Sequence, residues 1–128
     1  MPKQNKKVLL IEPDYNLARS YICALNAQSM ICVNEHDVEI AISKLDVIQP
    51  QVIILELQLK GHNGIEFLHE FRSYADWQEI PIVINSVIPE EESGLTKAIQ
   101  KKLGISDYCY KPQTSVLQLG NIIKGLVK

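Results

Sequence analysis

Short apolar runs alternate along this chain with longer stretches of helical periodicity. Lys7-Val8-Leu9-Leu10-Ile11 reads as a buried strand, and Met30-Ile31-Cys32-Val33 as a second, weaker one. Val52-Ile53-Ile54-Leu55 is a third, where β-branched side chains favour strand over helix. Ile82-Val83-Ile84 follows Pro81, which suits the start of a strand, and Tyr108-Cys109-Tyr110 is a short fifth. Between them the apolar period changes. Leu17, Tyr21, Ala24 and Leu25 share one face of a helix predicted from Asp14 to Gln28, with Asp14 placed to cap it. Val38, Ala41, Ile42 and Leu45 do the same from Asp37 to Val47, and Ile65, Leu68 and Phe71 from Gly64 to Ala75. A fourth helix is predicted from Glu90 to Leu103, acidic at its start and basic at its end, with Gly104 after it. Gly94 lowers the helix propensity inside it by about 1 kcal/mol relative to Ala. Val116, Leu119, Ile122, Ile123 and Leu126 mark a last helix.

The pattern is (βα)₅ over residues 1–128, with no linker, repeat or low-complexity tract to divide it. Continuous apolar strands separated by helices imply a doubly wound α/β domain, a parallel sheet covered on both faces. Right-handed crossovers leave few topologies, of which the flavodoxin-like strand order 2-1-3-4-5 is a common one. In such a sheet, ligands meet the carboxyl ends of the strands.

The chain is 46% hydrophobic but only 6% aromatic, so its core is aliphatic. A net charge of -2 gives no reason to expect nucleic acid, and the basic cluster Lys3, Lys6, Lys7 reads as a solvated arm. Cys23, Cys32 and Cys109 are odd in number and lack C-x-x-C spacing, which fits a reducing cytoplasm better than a disulfide framework or zinc site. The apolar runs are too short to span a bilayer, and no secretory signal pattern opens the chain. A cytoplasmic protein is expected. No Gly-rich phosphate loop, G-x-S-x-G elbow or H-E-x-x-H helix occurs, and His36, His62 and His69 share no metal-ligand spacing. His69 and Trp77 read as a solvent-exposed helix residue and a cap on a core edge.

The strand ends carry the candidate chemistry. Strand one ends in Glu12-Pro13-Asp14, strand three in Glu56, strand four in Asn85-Ser86, and strand five in Lys111-Pro112. In isolation Glu56 reads as an exposed strand-end acid; aligned with Glu12 and Lys111 it reads as part of a pocket. Ser86 is either a pocket ligand or a loop residue. Over essentially its whole length the chain resembles the response-regulator receiver (CheY-like) family. The segments that carry the resemblance are Val8 to Glu12, Glu56-Leu57-Gln58-Leu59 with Gly64, Pro81 to Ser86, and Asp107 to Pro112. The resemblance implies two metal-binding acids after strand one, a phosphate-accepting aspartate after strand three, a hydroxyl at Ser86, a switch aromatic at Tyr108, and a pocket lysine at Lys111. Tyr108 reads equally as an ordinary strand aromatic. The resemblance also implies a cis Lys111–Pro112 bond.

Two positions depart from the family. Glu56 replaces the phosphoacceptor aspartate, and Pro13 replaces the second metal-binding acid; Lys60 also stands where proline is usual. Mg²⁺ takes near-octahedral oxygen ligands and commonly one or two carboxylates, so binding is expected to be weak or absent, through Glu12 and Glu56 if at all. The extra methylene of Glu56 moves its carboxylate outward by about 1.5 Å. A nucleophile misplaced by about 1 Å loses on the order of 10²-fold in rate. The same extension lets Lys111 and Ser86 hydrogen-bond Glu56 as a partial imitation of a phosphorylated side chain. The expectation is a pseudo-receiver. It would be no enzyme but a regulatory protein-interaction module that meets a histidine kinase or downstream regulator through helix four, strand five and helix five. The alternatives are a regulator that still accepts phosphate from a histidine kinase and, remotely, a flavodoxin-like small-ligand binder.

Overall fold

The computed structural model describes residues 6–127. Its principal sheet holds β1 (Lys7–Ile11), β2 (Ile31–Glu35), β3 (Val52–Leu55), β4 (Ile82–Ser86) and β5 (Ile105–Tyr110). All neighbours are parallel, and the spatial order is β2-β1-β3-β4-β5, the order expected from the sequence. The helices are α1 (Tyr15–Ala27), α2 (Val38–Ile48), α3 (Gly64–Ser73), α4 (Lys97–Leu103) and α5 (Val116–Leu126). None of them is long and apolar enough to cross a membrane. Of the basic cluster, Lys6 and Lys7 are half-buried at the start of β1, whereas Lys3 lies outside the described residues.

Strand alternation splits the core into two layers. Leu9, Ile11, Ile53, Leu55, Ile82 and Ile84 face α2, α3 and α4, meeting Leu45, Leu68, Phe71 and Leu103. Val8, Leu10, Val52, Ile54, Val83 and Cys109 face α1 and α5, meeting Tyr21, Leu25, Leu119 and Ile123. The strand residues named here except Leu10 (1% exposed) and Cys109 (4%) have no solvent-accessible surface. Local signals fix the helix starts: Asp14 accepts from Leu17 N at 3.0 Å, Asp37 from Glu39 N at 2.8 Å, and Ser115 forms a capping box with Gln118. Trp77 closes the core edge as expected, its ring 5.6 Å from Phe71.

The fourth helix is shorter than its sequence pattern predicts. Glu90–Glu92 form only a 3₁₀ turn, and α4 begins at Lys97 with Thr96 as its cap. Gly94 lies between them at φ 82°, a left-handed conformation that no helix continues through. Here glycine interrupts the helix rather than merely weakening it. The gap is closed by polar contacts: Ser93 Oγ donates to Glu90 O at 2.7 Å, and Gln100 Nε2 donates to Glu90 Oε2 at 2.7 Å and Leu95 O at 2.9 Å. The fifth strand is longer than expected, because Ile105 and Asp107 also pair with β4, with Ser106 bulged between them, in an edge strand whose outer positions tolerate polar side chains.

Arg72 at the end of α3 ties three segments together. Its guanidinium donates to Leu103 O, Trp77 O and Ile80 O, each at 2.6 Å, and to Gly104 O at 3.1 Å. Burial lowers its pKa, and the four carbonyls take up four of its five N–H donors.

Candidate functional site

The alternation that builds the core also builds the site. Ile11, Leu55 and Ile84 stand in register on neighbouring strands. The next position on each strand points to the opposite face, giving a row of Glu12, Glu56 and Asn85 at the carboxyl edge of the α1/α5 layer. All three are buried, each 2% exposed. Behind Glu56, the hairpin Gln58–Leu59 with His62–Asn63 turns the chain into α3. Gly64 is required there, since a Cβ would lie 2.7 Å from Leu57 Cα and 3.1 Å from Glu56 O.

Lys111 follows β5 and reaches back over this row. Its Nζ lies 2.6 Å from Glu12 Oε1 and 2.7 Å from Glu56 Oε1. Three charges are thus buried together, an arrangement that holds only when the remaining polar atoms are also satisfied. The carboxylate oxygens are. Glu12 Oε2 accepts from Asp14 N at 3.1 Å, Glu56 Oε2 from Gln58 N at 3.1 Å, and Glu56 Oε1 also from Val87 N at 3.1 Å. Burial works to lower the Lys111 pKa. Its hydrogen bonds to Glu12 and Glu56, and their charges, outweigh burial and raise it above the usual lysine value.

Glu12, Pro13, Glu56 and Lys111 line one open cavity of about 500 Å³, together with Lys60 and Val87. Ser86 and Tyr108 lie beside it. Ser86 does not bond Glu56 as expected: its Oγ accepts from Ile88 N at 3.0 Å, and the backbone N–H of Val87 takes the place beside the carboxylate. Tyr108 is turned inward and half-buried, its hydroxyl donating to Ile88 O at 2.5 Å. Burial raises its pKa, against the hydroxyls of Ser93 and Ser86. The expected cis Lys111–Pro112 bond is also corrected, since no cis peptide occurs among the described residues. Pro112 sits in a 3₁₀ turn, Lys111–Gln113, from which the lysine reaches both acids through a trans bond.

The donor set does not fit Mg²⁺. Pro13 offers no side-chain oxygen, and every oxygen of Glu12 and Glu56 already accepts from a protein donor. Asp14 is committed to capping α1.

Sequence reasoning missed the backbone donors Val87 and Gln58, because an N–H carries no residue identity. It also assigned no role to Asn85, although an amide in an otherwise apolar strand was a visible signal. The amide of Asn85 makes no hydrogen bond of good geometry, and the buried Tyr21 hydroxyl stands beside it.

The response regulator receiver domain family matches residues 8–122. A protein-glutamate methylesterase/protein-glutamine glutaminase of Treponema denticola is 39% identical over 75 residues, which are 59% of this chain and 19% of that protein. The KDP operon transcriptional regulatory protein KdpE of Escherichia coli is 28% identical over 105 residues, 82% of this chain and 44% of that protein. The chain therefore spans less than half the length of these curated relatives. HP1043, an orphan response regulator of H. pylori, has the same fold, with a TM-score of 0.80 at 20% identity over 99% of this chain and 100% of that one. With a family match across nearly all of its strands and helices, a common fold, and acids and lysine at the strand ends where the motifs placed them, this chain belongs to the response regulator receiver domains of two-component signalling.

Proposed function

We propose that this domain is a pseudo-receiver, which regulates a protein partner by contact and without phosphorylation. The observation that carries this reading is the closed network around Glu56: Lys111 Nζ and Val87 N both reach Glu56 Oε1, at 2.7 and 3.1 Å. These donors would otherwise be free to meet the oxygens of a transferred phosphoryl group. Glu56 carries less charge and fewer acceptors than a phosphoryl group, so it imitates the modified state only in part.

The same network leads to the face formed by α4, β5 and α5. Glu56 holds Val87, the next residue Ile88 accepts from the Tyr108 hydroxyl, and Tyr108 belongs to β5. In this reading Glu56 keeps the 86–88 loop close and Tyr108 inward, which biases a two-state surface toward one arrangement. Receiver domains interact with histidine kinases and downstream regulators, and a protein of that kind is the proposed partner. Mg²⁺ has no assigned role.

The test is incubation with Mg²⁺ and acetyl phosphate, followed by intact-mass measurement. The expected spectrum shows the unmodified chain. A stoichiometric gain of one phosphoryl group, stable to acid and labile to base, would establish the phosphate-accepting alternative instead.

A further inference from the structure

At the opposite pole of the sheet, two cavities of about 260 and 440 Å³ lie side by side and share Pro50, Asp76 and Ile80 in their walls. Their floor is apolar: Pro50 is buried, and Ile80, Pro81 and Leu126 are half-buried. Their rim is acidic. Asp46, Asp76 and Glu79 are all exposed, and among the described residues no lysine, arginine or histidine lines either cavity and none of the three acids makes an ion pair. The half-buried Arg72 is turned inward onto four carbonyls. Two of them, Trp77 O and Ile80 O, belong to residues of the wall, so the guanidinium is engaged with the wall's backbone and not with its acids.

We propose that this groove is a second docking surface, separate from the Glu56 pocket and the α4–β5–α5 face, and that it takes a basic protein segment: an aliphatic or aromatic anchor flanked by lysine or arginine. The anchor covers Pro50, Ile80 and Leu126 while the flanking cations meet Asp46, Asp76 and Glu79. An apolar floor supplies affinity and a charged rim supplies selection, as in protein interfaces generally. A preformed wall lowers the ordering cost of association.

The test is a ¹H–¹⁵N titration of the full chain with a seven-residue peptide alternating lysine with leucine and carrying one tryptophan, its glutamate-for-lysine counterpart serving as control. Saturable shifts are expected at the amides of Asp46, Asp76, Trp77, Glu79 and Ile80, from the basic peptide only. Neutralising two rim charges together, Asp76→Asn with Glu79→Gln, should weaken binding about five-fold, the sum of two exposed charge contacts. Several outcomes would overturn the proposal: no saturable binding, shifts confined to Lys97–Tyr110 or to Glu12 and Glu56, equal binding by the acidic peptide, or unchanged affinity in the double variant. Concentration-dependent shifts at the groove in protein alone would assign it to a second copy. Shifts there on Lys3→Gln without peptide would assign it to the chain's own amino-terminal segment.

Discussion

Lys111 holds Glu56 across 55 positions of sequence, with 2.7 Å between Nζ and Oε1, while the same ammonium lies 2.6 Å from Glu12. One cation between two buried carboxylates leaves the cluster with a net negative charge, steadied by the N–H groups of Asp14, Gln58 and Val87. The lysine offsets one of the two carboxylate charges, and the backbone donors steady the other.

Removing the lysine should therefore be costly. Lys111→Met leaves two carboxylates buried without their cation, and a loss of about 3–5 kcal/mol is expected from urea unfolding at pH 7. The pH dependence has a definite sign. The folded pKa of Lys111 is raised, so its stabilisation is complete below the unfolded lysine value of about 10.4 and is lost as pH rises through the folded pKa. The stability gap between wild type and Lys111→Met should hold from pH 7 to 10 and narrow above that.

Glu56→Gln keeps the shape of the side chain and removes its charge. Lys111 retains Glu12, so the variant is expected to fold. Backbone resonances from Lys97 to Tyr110 should shift and partner affinity should change, because the hold on Val87 is weakened. If both stay as in wild type, Glu56 is no switch and the domain is a static scaffold.

Restoring the two departures together should restore the family's chemistry. Pro13→Asp with Glu56→Asp returns a second carboxylate and shortens the acceptor, so Mg²⁺ should give saturable shifts around Glu12 at low millimolar concentration and acetyl phosphate should add one phosphoryl mass. A double variant that remains unmodified would place the block elsewhere in the pocket, with Lys60 on its rim the next residue to change.

Arg72 should be intolerant of lysine. A planar guanidinium serves four carbonyls at 2.6–3.1 Å, whereas an ammonium has three donors and no fork. Arg72→Lys is expected to cost about 2–4 kcal/mol, read from the urea midpoint at unchanged slope.

The thiols should differ in reactivity. Cys23 is exposed, whereas burial pushes Cys32 up to about 12, and burial together with Asp107 pushes Cys109 up to about 11. At pH 8 a disulfide reagent should consume one thiol per chain quickly and the other two only after denaturation.

The sequence marked the five strands and the Asp14 cap through short-range signals, and right-handed crossovers narrowed the strand order to few possibilities. Runs such as Val52 to Leu55 are rich in β-branched residues, and Asp14 satisfies an N–H group three residues away, whereas the caps at Asp37 and Ser115 emerged only from the structure. The sequence also brought Glu12, Glu56 and Lys111 to one edge, since parallel strands end together. Tertiary structure alone decided which donor met which acceptor. Val87 rather than Ser86 bonds Glu56, because a turn after β4 aims a backbone N–H into the pocket and leaves the hydroxyl to bond its own loop. Gly94 took a positive φ where the charge pattern around it favoured a helix, so α4 begins seven residues later than its acidic start. The four carbonyls around Arg72 left no mark in the sequence for the same reason as Val87: backbone groups are identical at every residue, and only the folded path of the chain selects which ones converge.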